Sequence, residues 1–207
     1  MTKQLPSFDI ESEYAGPVAG IDEAGRGPLA GPVVAAAVVL DRKNVPAGLA
    51  DSKTIAEKKR GDIAMHIRQT STVGVGIASV DEIDEINILQ ATMLAMTRAA
   101  NDLLEQSVKK PAMFLIDGNR VPDAIGPACA VVKGDALSLS IAAASIIAKT
   151  TRDGLMRELA IVYPDYGWAK NKGYGAQMHI EAIKMHGPTP HHRKTFAPIR
   201  QMLEAKN

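Results

Sequence analysis

Between Gly31 and Asp41 the chain passes through eight apolar residues, Val33 to Leu40, without a polar break. A strand of that composition has no face to offer water, so it belongs in a sheet covered on both sides. The apolar run before it, from Pro17 to Ile21, leads into Asp22, and a Gly-Pro turn separates the two, which predicts an antiparallel hairpin. Further strands are expected over Thr72–Val80, over Pro111–Ile116 with Asp117 at its end, and over Ala128–Val132 running into Lys133-Gly134-Asp135. Between and after them, helical spacing predicts a helix from Thr54-Ile55-Ala56-Glu57, a capping-box pattern, to about Arg68. Others follow over Glu85–Gln106, from Ser140 to about Ile161, and over Gly175–His186, which Gly187-Pro188 closes. Strands with short connections, then strands separated by helices, imply an α/β protein: a mixed central sheet flanked by helices, with a small C-terminal helical extension.

With 207 residues and 46% apolar content the chain can fill one core. It is expected to form a single catalytic domain over residues 1–207, with a polar leader over about 1–15 and an extension over about 164–207. No stretch approaches the roughly 18 apolar residues of a membrane span, and Met1 to Pro6 has no apolar signal core. A cytoplasmic monomer without membrane contact is expected. The single cysteine, Cys129, excludes an internal disulfide and a cysteine-rich zinc module, and is expected to be buried and inert. His179 and His186, seven apart on one helical face, lack a third spaced ligand for zinc. Gly74-Val75-Gly76 lacks the third glycine and the helix of a dinucleotide fingerprint. A net charge of +1 does not announce a nucleic-acid partner, so any such surface must be local. Lys170-Asn171-Lys172 beside Tyr174, and His191-His192-Arg193-Lys194, are the candidate patches.

Asp22 and Glu23 are adjacent, and neighbouring side chains on a strand point to opposite faces. They can share one site only if the strand bends or ends there, and Gly25 and Gly27 in the following Ala24-Gly25-Arg26-Gly27-Pro28 permit that. Asp117 and Asp135 also stand at expected strand ends, where ligands of such sheets gather. Four carboxylates converging there would repel one another, and divalent cations would offset that. Read singly, Asp117 and Asp135 are equally well ordinary turn residues.

Taken together, Gly20-Ile21-Asp22-Glu23-Ala24-Gly25-Arg26-Gly27-Pro28, Asp51-Ser52-Lys53, Asp117-Gly118-Asn119, Val132-Lys133-Gly134-Asp135, Ser140 to Lys149, Thr151-Arg152-Asp153 and Lys172-Gly173-Tyr174 resemble the bacterial ribonuclease HII family in content and order. The likeness runs from about residue 17 to residue 200. It implies a ribonuclease H-like fold and a metal-binding catalytic set of Asp22, Glu23, Asp117 and Asp135. It also implies that Gly25, Arg26 and Gly27, with Tyr174, recognise the ribonucleotide and its junction with DNA. The implied substrates are RNA/DNA hybrids and duplex DNA with embedded ribonucleotides. The implied reaction is in-line attack by water 5′ of the ribonucleotide, leaving 3′-hydroxyl and 5′-phosphate ends, with two Mg2+ or Mn2+ ions about 4 Å apart.

On that footing Asp22 is assigned as the bridging ligand, Glu23 and Asp117 to one ion each or to water positioning, and Asp135 to the second ion or proton handling. Arg26, Lys53 and Lys149 are candidate phosphate contacts, though spacing alone fits ordinary surface lysines at the latter two positions. Asp153 is either a supporting acid or an exposed residue paired with Arg157. Arg200 to Asn207 matches no sliding-clamp-binding peptide, and that partner stays open. Two rivals compete. A magnesium-dependent phosphatase with an aspartyl nucleophile needs a second acid two residues on, where this chain has Ala24. A non-catalytic nucleic-acid-binding module would use the acids for a structural cation.

Overall fold

The first apolar run extended through the acids, Val18–Ala24 (β1), and seven residues of the second, Val33–Val39 (β2), form the expected antiparallel hairpin in a computed structural model that describes residues 5–50, 52–123 and 125–204. Thr72–Ala78 (β3) pairs antiparallel with β2, while Met113–Asp117 (β4) pairs parallel with β1 and Ala128–Val131 (β5) parallel with β4. The order β3-β2-β1-β4-β5 is the mixed sheet the sequence implies. Alternate residues of β2 face opposite layers. Ala35 and Ala37 pack with Ala91, Ala95 and Ala99 of one helix, whereas Ala36 and Val38 pack with Ile63, Ile67, Ala143 and Ile147 of two others.

Those helices are Glu57–Thr70 (α1), Val80–Gln106 (α2) and Leu139–Val162 (α3). Small side chains bring them close. A Cβ on Gly76 would stand 2.0 Å from the Ala95 carbonyl of α2, which accounts for the glycines of β3 without any nucleotide. Helix α2 begins earlier than its apolar stripe, at a capping box in which Ser79 Oγ accepts from the Glu82 N–H and Glu82 accepts from the Ser79 N–H. It is interrupted at Asn87 (φ 66°), whose Oδ1 caps a second segment by accepting from the Leu89 and Gln90 N–H groups. The helix expected from Thr54 starts later: Thr54 lies in a 3-10 turn, and Ala56 is the residue before α1. The extension adds the short helices Trp168–Asn171 (α4), Gln177–His186 (α5) and Ala197–Glu204 (α6).

The leader is tied down. Ser7 exchanges backbone bonds with Leu137 and Leu139, and Glu11, buried, accepts from Ser138 Oγ (2.7 Å) and the Ser140 N–H (3.0 Å) at the start of α3. Cys129 is half-buried, 3.6 Å from the Tyr14 hydroxyl, rather than fully enclosed. Among the described residues no helix is long and apolar enough to cross a membrane.

Candidate active site

The two central strands set the site. Parallel pairing of β1 with β4 stops at Ile21 and Ile116, so the next residue on each, Asp22 and Asp117, emerges at the same end of the sheet. The strand does not break at the acids as the sequence suggests, because β1 stays paired with β2 through Ala24, and the turn comes at Gly25 with φ +100°. Glu23 nevertheless lines the same cleft as Asp22 and Asp117.

Asp22, Glu23, Asp117 and Asp135 line one cleft of about 430 Å³ together with Gly25, Arg26, Gly27, Lys149 and Tyr174. A second cleft of about 250 Å³ opens on the other side of Glu23 and Asp117, toward Asn119 and Arg120. Asp22 is buried and accepts from the Glu23 N–H (2.7 Å) and from Ser145. Its pKa is raised well above the usual aspartate value by burial first, then by the charges of Glu23 and Asp117. Glu23 is also raised, by burial, against the pull of Arg26 at 3.3 Å. Asp117 accepts from the Gly134 N–H (2.7 Å), which ties it to the turn that carries Asp135.

Around the acids stands a ring of polar support. Lys149 pairs with Asp153 at 2.7 Å, and Arg60 reaches the same carboxylate at 3.4 Å. Asp153 is therefore a buried, doubly paired acid and not the exposed partner of Arg157, which bonds Glu57 instead. The Lys53 side chain lies outside the described residues, as does Asp51. Tyr174 is 48% exposed at the cleft mouth, free to pack on a ligand.

One expectation is overturned. His192 and Arg193 are completely buried and form no basic surface. His192 Nδ1 accepts from the Thr189 N–H, so its proton is on Nε2 and donates to His179 Nε2 (3.0 Å); His179 in turn donates from Nδ1 to the Tyr174 carbonyl (2.8 Å). Burial, then the proximity of His179, lowers the His192 pKa to about 4. Lys172 is buried as well, donating to the Ala169 carbonyl. Of the two predicted patches only Lys170, Lys194 and the half-buried His191 and Asn171 keep contact with solvent.

The oxygen-only donor set suits a hard divalent cation. Neither Asp22 nor Asp117 has a basic partner among the described residues to offset its charge. No three His, Cys, Asp or Glu side chains among the described residues form a complete cage as they stand.

The model of the ribonuclease HII family matches residues 19–199. A ribonuclease HII of Magnetococcus marinus is 60% identical over 210 aligned positions, covering 97% of this chain and 98% of that one. The chain belongs to the ribonuclease HII family. Among solved structures, the ribonuclease H2 of Pyrococcus horikoshii has a TM-score of 0.73 at 28% identity, over 92% of this chain and 98% of its own. A ribonuclease HII of Archaeoglobus fulgidus, solved in complex with PCNA, has a TM-score of 0.72 at 26% identity, over 87% and 95%. The fold is ribonuclease H-like, and the protein is a metal-dependent endonuclease of RNA/DNA hybrids. The phosphatase and non-catalytic readings fall with that membership.

Proposed function

We propose that Asp22, Glu23, Asp117 and Asp135 are the catalytic and metal-holding residues of this ribonuclease HII, with Gly25, Arg26, Gly27, Lys53, Lys149 and Tyr174 as its substrate contacts. The observation that carries the reading is that all four acids open onto one cleft beside the Gly-Arg-Gly turn and Tyr174. Mg2+ or Mn2+, two ions in this reading, supplies a water of lowered pKa and neutralises charge at the phosphate when bound. In this reading Asp22 would be the ligand shared by both ions, a role that its closeness to Glu23 and Asp117 and its bond from the Glu23 N–H support. Glu23 and Asp117 would serve one ion each or position the water, and Asp135 the second ion or the handling of the proton.

Hydrolysis on the 5′ side of a ribonucleotide leaves 3′-hydroxyl and 5′-phosphate ends. Lys149, held by Asp153, and Arg26, beside Glu23, present cationic groups to the flanking phosphates. The Tyr174 ring packs on the sugar, and the backbone of Gly25 to Gly27 meets the 2′-hydroxyl, the group that separates RNA from DNA. The chain acts as one catalytic domain in which the leader (about 1–15) and extension (about 164–207) brace the site, and it works as a cytoplasmic monomer. The PCNA complex of the Archaeoglobus fulgidus relative keeps a sliding clamp open as a partner of this chain.

The test is a labelled DNA duplex with one embedded ribonucleotide, incubated with protein and Mg2+ or Mn2+. A nick 5′ to the ribonucleotide is expected, and Asp117→Asn should lower kcat by at least about 100-fold while duplex affinity survives. Full turnover in that variant would remove Asp117 from the site.

A further inference from the structure

Two arginines are buried behind the Gly-Arg-Gly turn, and neither has a carboxylate partner among the described residues. Their guanidinium groups are spent on backbone carbonyls. Arg152 of α3 donates to Pro32 (3.0 Å), Ala30 (3.0 Å) and Lys172 (2.9 Å). Arg193, in the segment between α5 and α6, donates to Gly31 from Nε (3.0 Å), to Arg26 from Nη1 (2.9 Å) and to Gly25 from Nη2. The segment itself is stitched to the same turn, since Arg193 N–H donates to Leu29 and Gly31 N–H to His191.

A trans peptide unit points its C=O and the next N–H in opposite directions. Pulling the Gly25 and Arg26 carbonyls inward therefore turns the Arg26 and Gly27 N–H groups outward, and the outward side is the cleft that Gly25, Arg26, Gly27 and Tyr174 line. Neither of those N–H groups has a hydrogen-bond partner among the described residues. Free amides would swing toward water in a glycine-rich turn that lacked an anchor. Here a rigid, planar fork of N–H donors holds two successive peptide planes at once, a geometry that a compact ammonium does not reproduce.

We infer that Arg193, which touches no substrate, is the positioning residue that sets ribose selectivity, by anchoring the Gly25 and Arg26 carbonyls so that the Arg26 and Gly27 amides are aimed at the 2′-oxygen before substrate arrives. This rests on the reading of the Gly25–Gly27 turn as the ribose contact. The inward pull comes from the C-terminal extension, which makes that extension part of the specificity machinery.

The experiment compares the binding of two duplexes of identical sequence, one with a single ribonucleotide and one all DNA, by fluorescence anisotropy without divalent cation, to wild type, Arg193→Lys and Arg98→Lys. Arg98 serves as the stability control, because it holds the Ile77 carbonyl and Glu82 away from the cleft. Arg193→Lys should weaken ribonucleotide-duplex binding by roughly threefold to tenfold, the worth of one or two directed hydrogen bonds, with all-DNA affinity kept within about twofold. Arg98→Lys should leave the preference intact whatever its thermal cost. A preference retained in folded Arg193→Lys overturns the inference alone; a wild type with no preference overturns the ribose reading and the inference together. Should Arg193→Lys not fold, hydrogen exchange at the Arg193 guanidinium of the wild type decides. Slow exchange, unchanged by the ribonucleotide duplex, is expected, and exchange as fast as at the exposed Arg26 guanidinium overturns the inference.

Discussion

Asp22 occupies a costly position for a carboxylate: it is buried beside two other acids, which raises its pKa, and the Glu23 N–H and Ser145 offset this in part. A site like this is held against its own stability for the sake of the ligand it takes. Asp22→Asn removes one of the repelling charges, and its amide oxygen can still accept from the Glu23 N–H. The cation-free variant should therefore be more stable than wild type by about 1 kcal/mol, or about 2–4 °C in Tm for a chain of this size, while cleavage is lost. A lower Tm in a thermal melt with chelator would contradict it. At this scale the acids were legible because each follows an apolar run. Arg193 and His192 were not, because whether a basic residue is buried depends on which carbonyls need donors, and those of Gly25, Arg26 and Gly31 lie far away in the sequence.

Helix α3 carries Ser145, Lys149 and Arg152 to the cleft, with Asp153 buried behind Lys149, and its first turn is held by a leader that bears no recognisable motif. Glu11 completes what Ser138 begins: Ser138 Oγ accepts from the Ile141 N–H and donates to Glu11, which also accepts from the Ser140 N–H. A carboxylate at a helix N-terminus is favoured by the exposed amides and the helix dipole. Glu11→Ala should cost about 1–3 kcal/mol, read by urea denaturation, with faster amide exchange over Ser140–Ala143. Unchanged exchange there would detach the leader from α3. The elements themselves were readable from periodicity, as the hairpin and the long helices show. Their ends were less so. Thr54-Ile55-Ala56-Glu57 has the letters of a capping box, yet Thr54 is drawn into the 3-10 turn beside the cleft. The capping box of α2, Ser79 with Glu82, sits ahead of an apolar stripe that an internal Asn87 cap interrupts.

Across the whole molecule two sets of buried groups make stability depend on pH with opposite signs. Asp22 and Glu23 have raised pKa values, so between the ordinary carboxylate range and those raised values the native state holds protons that the unfolded chain has released. Their contribution is present at low pH and lost as pH rises, unless a cation replaces the proton. Saturating Mg2+ or Mn2+ at about 100 times Kd should then restore about 2.7 kcal/mol at neutral pH, visible as a rise in Tm that Asp117→Asn diminishes. His192 works the other way. Its folded pKa of about 4 lies below the ordinary 6.5, so as pH falls from 6.5 toward 4 the unfolded chain takes up a proton that the native state refuses. Protonation would place the new proton on His192 Nδ1, against the Thr189 N–H from which it accepts at 2.9 Å. The cation-loaded protein should lose up to about 3 kcal/mol over that window from His192, and His179, lowered by burial, adds in the same direction. In His192→Gln the slope of stability against pH between 6.5 and 4 should be visibly shallower. An identical slope in urea melts at matched pH would place the acid sensitivity elsewhere than in the histidine pair beneath Tyr174.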